Sequence, residues 1–260
     1  MAEDIIIEAV DLHKAFGSKV VLNGVDLTIR RGESMVILGG SGTGKSVFIK
    51  HIIGLLTPDK GKVLVDGSEV AALNENELNR FRKKFGMLFQ GAALFDSLTI
   101  GENVGFGLKE HTDLSRRDRE TIVTKKLNQV GLHDVENLKP AELSGGMIKR
   151  AGLARAIAMD PEIILYDEPT TGLDPITADQ INDLIVDLQK QIGTTAVTIT
   201  HDMVSTNRIA DRVAFLYNGE FLAVGEPDIV FNSPIPEVSK FCYIGNVIRQ
   251  TEVIQNRQRP

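Results

Sequence analysis

The chain predicts an α/β fold built on a mainly parallel sheet, and three observations carry that expectation. Apolar, β-branched runs alternate with amphipathic helical stretches, as they do when helices cross over between parallel strands. One apolar run, Ser34 to Leu38, has the character of a strand buried on both faces and passes directly into Gly39-Gly40-Ser41-Gly42-Thr43-Gly44. A second, Ile163 to Tyr166, ends on two carboxylates, Asp167 and Glu168.

Taken in order, Ile5 to Val10 reads as an opening strand, followed by Val20-Val21-Leu22 and by Val25 to Ile29, which alternates with a period of two. Arg31-Gly32-Glu33 is a turn before strand Ser34–Leu38, and a helix begins near Lys45. Residues 61–70 read as a strand with an Asp66-Gly67 turn, and Phe85 to Phe89 as another strand. From about residue 100 to 160 the pattern is helical, and the charged run Arg116 to Glu120 reads as solvated helix surface. This helical stretch reads as an insertion between two halves of one α/β core. The strand–helix rhythm returns with Ile163–Tyr166, an amphipathic helix over 175–192, strands Thr195–Thr200 and Val213–Tyr217, and a turn at Gly219-Glu220. Beyond Glu226 come Pro227, Pro234, Pro236 and Pro260. The apolar Phe231, Phe241, Tyr243, Ile244, Val247 and Ile248 make this appendage a packing segment, against its own domain or a second copy, rather than a free linker.

Composition excludes several classes of function. The chain is 42% hydrophobic and 25% charged, which rules out wholesale disorder, and its net charge of −6 speaks against nucleic acid as a partner. The single cysteine, Cys242, cannot close an internal disulfide and suits a reducing compartment as a buried small residue. Apolar runs fall short of the roughly 20 residues that span a bilayer, and acidic Met1-Ala2-Glu3-Asp4 has the wrong sign for a secretory signal. A soluble protein is expected, with any membrane role reached through a partner. His13, His51, His111 and His133 have no partners at metal-ligand spacing and are given no role.

Gly39 to Ser46 matches G-x-x-x-x-G-K-[ST] at every fixed position, between a buried strand and a helix. Glycines let the backbone turn its N–H groups inward as an anion nest, and the helix N-terminus adds a favourable dipole. Lys45 is expected to reach the β- and γ-phosphates, Ser46 to ligate Mg²⁺, and the site to run from Gly39 through Gly40, Ser41, Gly42, Thr43 and Gly44 to Val47. A dinucleotide loop is the weaker alternative, because the Lys-Ser pair belongs to nucleoside triphosphate chemistry. Carboxylates at the C-terminal end of a buried strand lie where such sheets bind ligands. Asp167 is expected to hold Mg²⁺ through water and Glu168 to polarise the attacking water. The fold expected is a P-loop NTPase (RecA-like) core.

Leu143-Ser144-Gly145-Gly146-Met147 resembles the signature of ATP-binding cassette (ABC) ATPases, written LSGGQ, with Met147 in place of the usual Gln. Gln90 after Phe85–Phe89 matches that family's Q-loop, Thr171-Gly172-Leu173-Asp174 its D-loop, His201 its switch histidine, and Phe16 its adenine-stacking aromatic. The resemblance covers about residues 5–225, with the motifs in family order. It implies an N-terminal antiparallel β subdomain, a nucleotide-binding domain over 1–225 with a helical subdomain at about 91–160, and a separate extension over 226–260. It also implies ATP and Mg²⁺ as cofactors, with Glu168, His201 and Gln90 catalytic, and Ser46, Gln90 and Asp167 around the metal. Ser144, Gly145 and Gly146 form a second anion nest, which in this family closes over the ATP of a second copy in a head-to-tail dimer, with Asp174 coupling the two sites. A thioether at Met147 replaces any amide contact to the nucleotide.

Within the family, Gly40 to Leu56, Phe89 to Thr99 and Lys149 to Arg155 resemble the ATPases of Mla (maintenance of lipid asymmetry) systems. Those move phospholipid between the membranes of Gram-negative bacteria. The resemblance implies a transmembrane permease dimer, an MCE-domain lipid-binding protein, a small STAS-domain subunit, and a peripheral place on the cytoplasmic face of the inner membrane. The alternative is an importer ATPase for a small solute such as an amino acid. A soluble cassette acting in translation or DNA repair is disfavoured by the single cassette, the lack of a long coiled-coil insertion and the acidic balance. Ala92-Ala93-Leu94-Phe95 reads either as a seat for a permease helix or as packing within the helical insertion.

Overall fold

The computed structural model describes residues 4–243. The expectations for Met1 to Glu3 and for Ile244, Val247 and Ile248 lie outside the described residues. In chain order the elements are β1 (Ile5–Phe16), β2 (Lys19–Arg30), β3 (Ser34–Leu38), α1 (Lys45–Ile52), β4 (Lys60–Val65), β5 (Ser68–Glu69), α2 (Glu75–Arg82) and β6 (Phe85–Leu88). They continue with α3 (Ile100–His111), α4 (Arg116–Gln129), α5 (Gly145–Ala156), β7 (Ile163–Asp167), α6 (Pro175–Ile192) and β8 (Thr195–Thr200). The chain then forms α7 (Met203–Ile209), β9 (Arg212–Tyr217), β10 (Glu220–Gly225) and α8 (Pro227–Phe231). The chain divides into two compact units, each described by itself below.

The first unit comprises residues 5–29, 34–71 and those from 199 onward. An antiparallel sheet runs in the order β2-β1-β4-β5, with Ile7 opposite Val65 and Ala9 opposite Val63. β1 continues six residues past the expected end at Val10. The polar Asp11 and His13 look like a strand end, but a bulge between Val10 and His13 accommodates them. Asp11 there adopts φ 47°, its N–H donates to Asp26 Oδ1 at 2.8 Å, and Lys60 pairs with its carboxylate. β2 likewise joins two expected strands through Asn23 and Gly24, the latter at φ 70°. In the same unit β3 lies parallel to β9, with Val36 opposite Val213 and Leu38 opposite Phe215, and β10 returns antiparallel along β9. Every residue of β3 is buried. Leu38, Val213, Phe215, Val230, Val238 and Cys242 form one core cluster, against which Phe231, Ile235 and Phe241 pack. The apolar positions of the appendage up to residue 242 therefore close the β3–β9 face, while Tyr243 stays exposed. Burial pushes the Cys242 thiol above its ordinary range.

The second unit comprises residues 1–4, 30–33 and 72–198. β6 and β7 pair in parallel, Phe85 opposite Ile163 and Leu88 opposite Tyr166, and β7 is buried through Tyr166. α5 sits tightly on β6: a Cβ on Gly86 would lie 2.2 Å from the Ala156 carbonyl. The helices start on side-chain caps. Thr99 and Glu102 form a capping box for α3, Asn74 and Glu77 one for α2, Ser115 caps α4, and Asp174 followed by Pro175 opens α6. α2 has too few apolar residues to be visible from periodicity, although its capping box is written in the sequence. Among the described residues no helix is long and apolar enough to cross a membrane.

Asn103 organises the turn before α3. It is fully buried, its Oδ1 accepts from the Phe95 N–H at 2.7 Å, and its Nδ2 donates to the Phe95 and Thr99 carbonyls at 3.1 and 2.9 Å. Asn103→Ala leaves buried main-chain groups unpaired and should cost about 2–4 kcal/mol, read as a lower midpoint in guanidinium denaturation. An unchanged midpoint would show that the turn stands without it.

Candidate active site

In the first unit the site begins where β3 leaves the sheet. The backbone bends sharply because side chains are excluded. A Cβ on Gly39 would lie 2.4 Å from the Leu216 carbonyl oxygen, and one on Gly44, at φ 107°, would lie 2.9 Å from that of Val21. Gly44 opens α1 without any side-chain cap, and the first turn carries no acidic residue. No side chain thus caps the leading N–H groups of α1 and no carboxylate in the first turn counters the dipole, an arrangement suited to an anion. Lys45, only 6% exposed, donates from Nζ to the carbonyls of Gly39 and Gly40, both at 2.8 Å. Thr43 Oγ1 donates to the Gly40 carbonyl at 3.0 Å. Ser41, Gly42 and Ser46 are exposed and Val47 is half-buried, so Ser46 presents its hydroxyl at the helix start. Glycines, uncapped helix and buried ammonium together fit a polyphosphate.

The same unit holds His201 beside this loop. The Gly39 N–H donates to the carbonyl of Thr200, the last residue of β8, at 3.3 Å. Asp202 then caps α7, accepting from the Val204 N–H at 2.9 Å and from the Ser205 hydroxyl at 2.6 Å, while its own N–H donates to Thr200 Oγ1. His201 is exposed between two anchored neighbours. Phe16 ends β1 with its ring 49% exposed and Lys14 Nζ 5.7 Å from the ring centroid. Phe16 is therefore not a core residue.

In the second unit β7 delivers Asp167 and Glu168, both half-buried. Glu168 adopts φ 49°, a left-handed conformation uncommon for a glutamate outside a turn of Asn or Asp. Thr171 Oγ1 donates to its carboxylate at 3.1 Å. Gln90 follows β6 with an exposed side chain. The two strand ends are joined by Lys149 of α5, 5% exposed, whose ammonium donates to the Gln90 carbonyl at 2.5 Å and to the Glu168 carbonyl at 3.3 Å. Burial lowers the Lys149 pKa, opposed by the charges of Asp167 and Glu168. Ala92 and Ala93 are both left-handed, and Arg155 donates to their carbonyls at 2.6 and 2.7 Å. Ala92 is buried, whereas Phe95 is exposed with its ring 5.0 Å from that of Phe106. Ala92 thus packs inward, while Phe95 is partly exposed and packs its ring against Phe106 of α3.

Ser144, exposed, caps α5, accepting from the Met147 N–H at 3.4 Å. A Cβ on Gly146 would lie 2.8 Å from Thr177 Cγ2, so the glycine is needed where α5 meets the start of α6. Gly145 passes near Leu173, where a Cβ would have 3.7 Å. Asp174 is the N-cap of α6, accepting from the N–H groups of Ile176 and Thr177 at 3.1 Å. The Thr177 hydroxyl also bonds its carboxylate, which holds Asp174 below its usual range.

Thus Gly39 to Val47, His201 and Phe16 stand in one unit, and Gln90, Asp167, Glu168, Ser144, Gly145, Gly146 and Asp174 in the other. Sequence reasoning passed over Lys149 and Arg155 as chemistry. A signal was present: Lys149 shares an i, i+3, i+4, i+7 stripe with Gly152, Leu153 and Ala156, all buried. A lysine on a buried stripe demands carbonyl or carboxylate partners. Among the described residues no group of three His, Cys, Asp or Glu side chains forms a metal site.

Comparison with known proteins is decisive at this point. The family model described as ABC transporter matches residues 22–171. The probable ribonucleotide transport ATP-binding protein mkl of Mycobacterium leprae is 42% identical over 241 residues, covering 93% of this chain and 70% of that protein. The intermembrane phospholipid transport system ATP-binding protein MlaF of Escherichia coli K12 is 37% identical over 236 residues, covering 91% of this chain and 88% of that protein. A solved ATP-binding cassette, a dimer in a post-hydrolysis state bound to ADP and Pi, superposes with TM-score 0.78 at 33% identity, over 85% of this chain and 99% of that one. These cassettes agree with the strand and helix architecture expected from the sequence.

Gly39→Ala should weaken binding of a fluorescent ATP analogue at least about tenfold and lower stability by about 2 kcal/mol or more, because the methyl has no room. Gly40→Ala, whose methyl meets nothing closer than Thr43 Cγ2 at 3.7 Å, should stay within about 0.5 kcal/mol of the parent. Equal thermal stability of the two variants would refute the steric account.

Proposed function

The chain belongs to the ABC transporter family and is an ATPase of that kind. From that premise we propose that two copies close head to tail over two ATP molecules, and that hydrolysis drives phospholipid between the inner and outer membranes of a Gram-negative bacterium. One observation carries the lipid reading: the similarity to the E. coli intermembrane phospholipid transport protein runs through 88% of that protein's length. The dimeric solved cassette supports the pairing of copies.

In this reading the N–H groups at the start of α1 and the Lys45 ammonium hold the β- and γ-phosphates. Ser46, Gln90 and Asp167 are the residues that would hold Mg²⁺, which supplies charge neutralisation on the phosphates. Glu168, its carboxylate oriented by Thr171, takes the role of polarising the attacking water, and His201 contacts the γ-phosphate. Phe16 stacks on adenine. Ser144, Gly145 and Gly146 of each copy engage the ATP held by the other. Asp174 contributes to coupling by fixing the start of α6. Exposed Phe95 and Phe106 offer the surface for a helix of a transmembrane permease dimer. An MCE-domain lipid-binding protein and a STAS-domain subunit complete the proposed assembly, on the cytoplasmic face of the inner membrane. The name of the M. leprae relative, at 42% identity, favours a second reading, an importer ATPase for a small solute.

Glu168→Gln should cut ATP turnover by about a hundredfold or more while ATP still binds, and gel filtration with ATP should show an accumulated dimer. Turnover near the parent rate would remove Glu168 from its role. Purification of the tagged chain from detergent-solubilised membranes, followed by mass spectrometry, separates the two substrates. A permease with an MCE-domain protein and phospholipid is the expected outcome. A permease with a solute-binding protein and no lipid would replace it by solute import.

A further inference from the structure

We propose that Lys149 is a positioning residue for hydrolysis: its buried ammonium ties the main chain at Gln90 to the main chain at Glu168 and sets the spacing of those two side chains. This rests on the reading of Gln90 and Glu168 as hydrolytic residues. The two lie just beyond the last paired residues of adjacent parallel strands, Leu88 of β6 and Tyr166 of β7. Lys149 links the two. Its Nζ donates to the Gln90 carbonyl at 2.5 Å and the Glu168 carbonyl at 3.3 Å, and the side chain is 5% exposed.

Three features make this a built arrangement. First, Gly152, one turn further along α5, lets the helix approach the loop: a Cβ there would lie 2.7 Å from Leu88 Cδ1 and 3.0 Å from Ala92 Cβ. Second, Arg155 continues the grip, donating to the carbonyls of Ala92 and Ala93. Third, Glu168 sits at φ 49°, where an ordinary side chain stays only if its surroundings hold it. The Thr171 N–H donates to the same Glu168 carbonyl at 3.3 Å, so that oxygen is fixed from two sides. An ammonium suits the role because it donates in several directions from one point, and because the carboxylates of Asp167 and Glu168 interact favourably with its charge. The helix that carries Lys149 begins at Ser144. A displacement of the signature by a second copy's nucleotide would therefore pass along one rigid helix to the spacing between Gln90 and Glu168.

The test compares full-length Lys149→Met, Lys149→Arg and Glu168→Gln with the parent chain in Mg²⁺-ATP turnover, affinity for a fluorescent ATP analogue, and thermal unfolding. Lys149→Met, which keeps length and loses the donors, should lower kcat about tenfold or more with nucleotide affinity within about twofold. Lys149→Arg, which keeps charge and donors, should recover most of that loss. A Lys149→Met chain with kcat within about twofold of the parent, beside an inactive Glu168→Gln, overturns the positioning role and leaves the hydrolytic reading intact. Parent-like turnover by Glu168→Gln would instead fell that reading and this inference with it. Loss of affinity at unchanged kcat would also overturn the proposal. If Lys149→Met does not fold, Lys149→Leu, which also removes the donors, is judged by the same kcat and affinity limits.

Discussion

Burial of β3 and β7 is the constraint on which the chemistry depends. Met35 to Leu38 in one unit and Ile163 to Tyr166 in the other are wholly withdrawn from water. A strand enclosed on both faces has no place for a working polar side chain along its length. Polar groups that meet a ligand belong where the strand ends and the backbone leaves the ladder. That is where Gly39 and its loop begin, and where Asp167 and Glu168 stand. The cost is local: main chain that leaves a ladder needs other partners. The Thr200 carbonyl meets Gly39, and Lys149 meets Gln90 and Glu168.

Helix starts show a second distinction, between those that finish a fold and one that is kept for a ligand. α2, α3, α4, α5, α6 and α7 each begin on an Asn, Thr, Ser or Asp side chain that accepts a leading N–H. α8 also lacks a side-chain cap but has Pro227 at its start and Asp228 in its first turn, whereas α1 begins on Gly44 with no side-chain cap and no acidic residue in its first turn. An uncapped start costs about 1 kcal/mol in an ordinary helix. At α1 a bound phosphate would satisfy those donors in place of a cap. Ser144 stands between the two cases: it caps α5 through a long 3.4 Å bond and keeps an exposed hydroxyl.

Much of this was written in the sequence because it is local. The phosphate loop is a spacing of glycines, a lysine and a serine. Thr99 with Glu102 announces α3, and Asp174-Pro175 announces α6. The strand Ser34–Leu38 and the helix over 175–192 coincide with β3 and α6. What could not be read is what depends on distant partners. β1 passes Asp11 because Asp26 and Lys60 satisfy it. The left-handed backbone of Glu168, Ala92 and Ala93 has no residue-type signal, since glutamate and alanine seldom adopt it.

Lys45 and Lys149 show how one side chain serves two ends. Each is almost fully buried, and each donates to two main-chain carbonyls of its own unit. Burying an ammonium is costly unless its donors are met, and carbonyl oxygens meet them at moderate strength. For Lys45 those oxygens belong to the loop that would receive a polyphosphate. A charged oxygen competes well with a neutral carbonyl, so the ammonium would stay in place and exchange acceptors on binding a polyphosphate. For Lys149 the acceptors are carbonyls just beyond two strand ends, and that of Glu168 also accepts from the Thr171 N–H. Nothing more attractive replaces them, and the same bonds persist as a brace. The difference between a ligand-binding lysine and a bracing lysine thus lies in the freedom of the carbonyls it holds, not in the lysine.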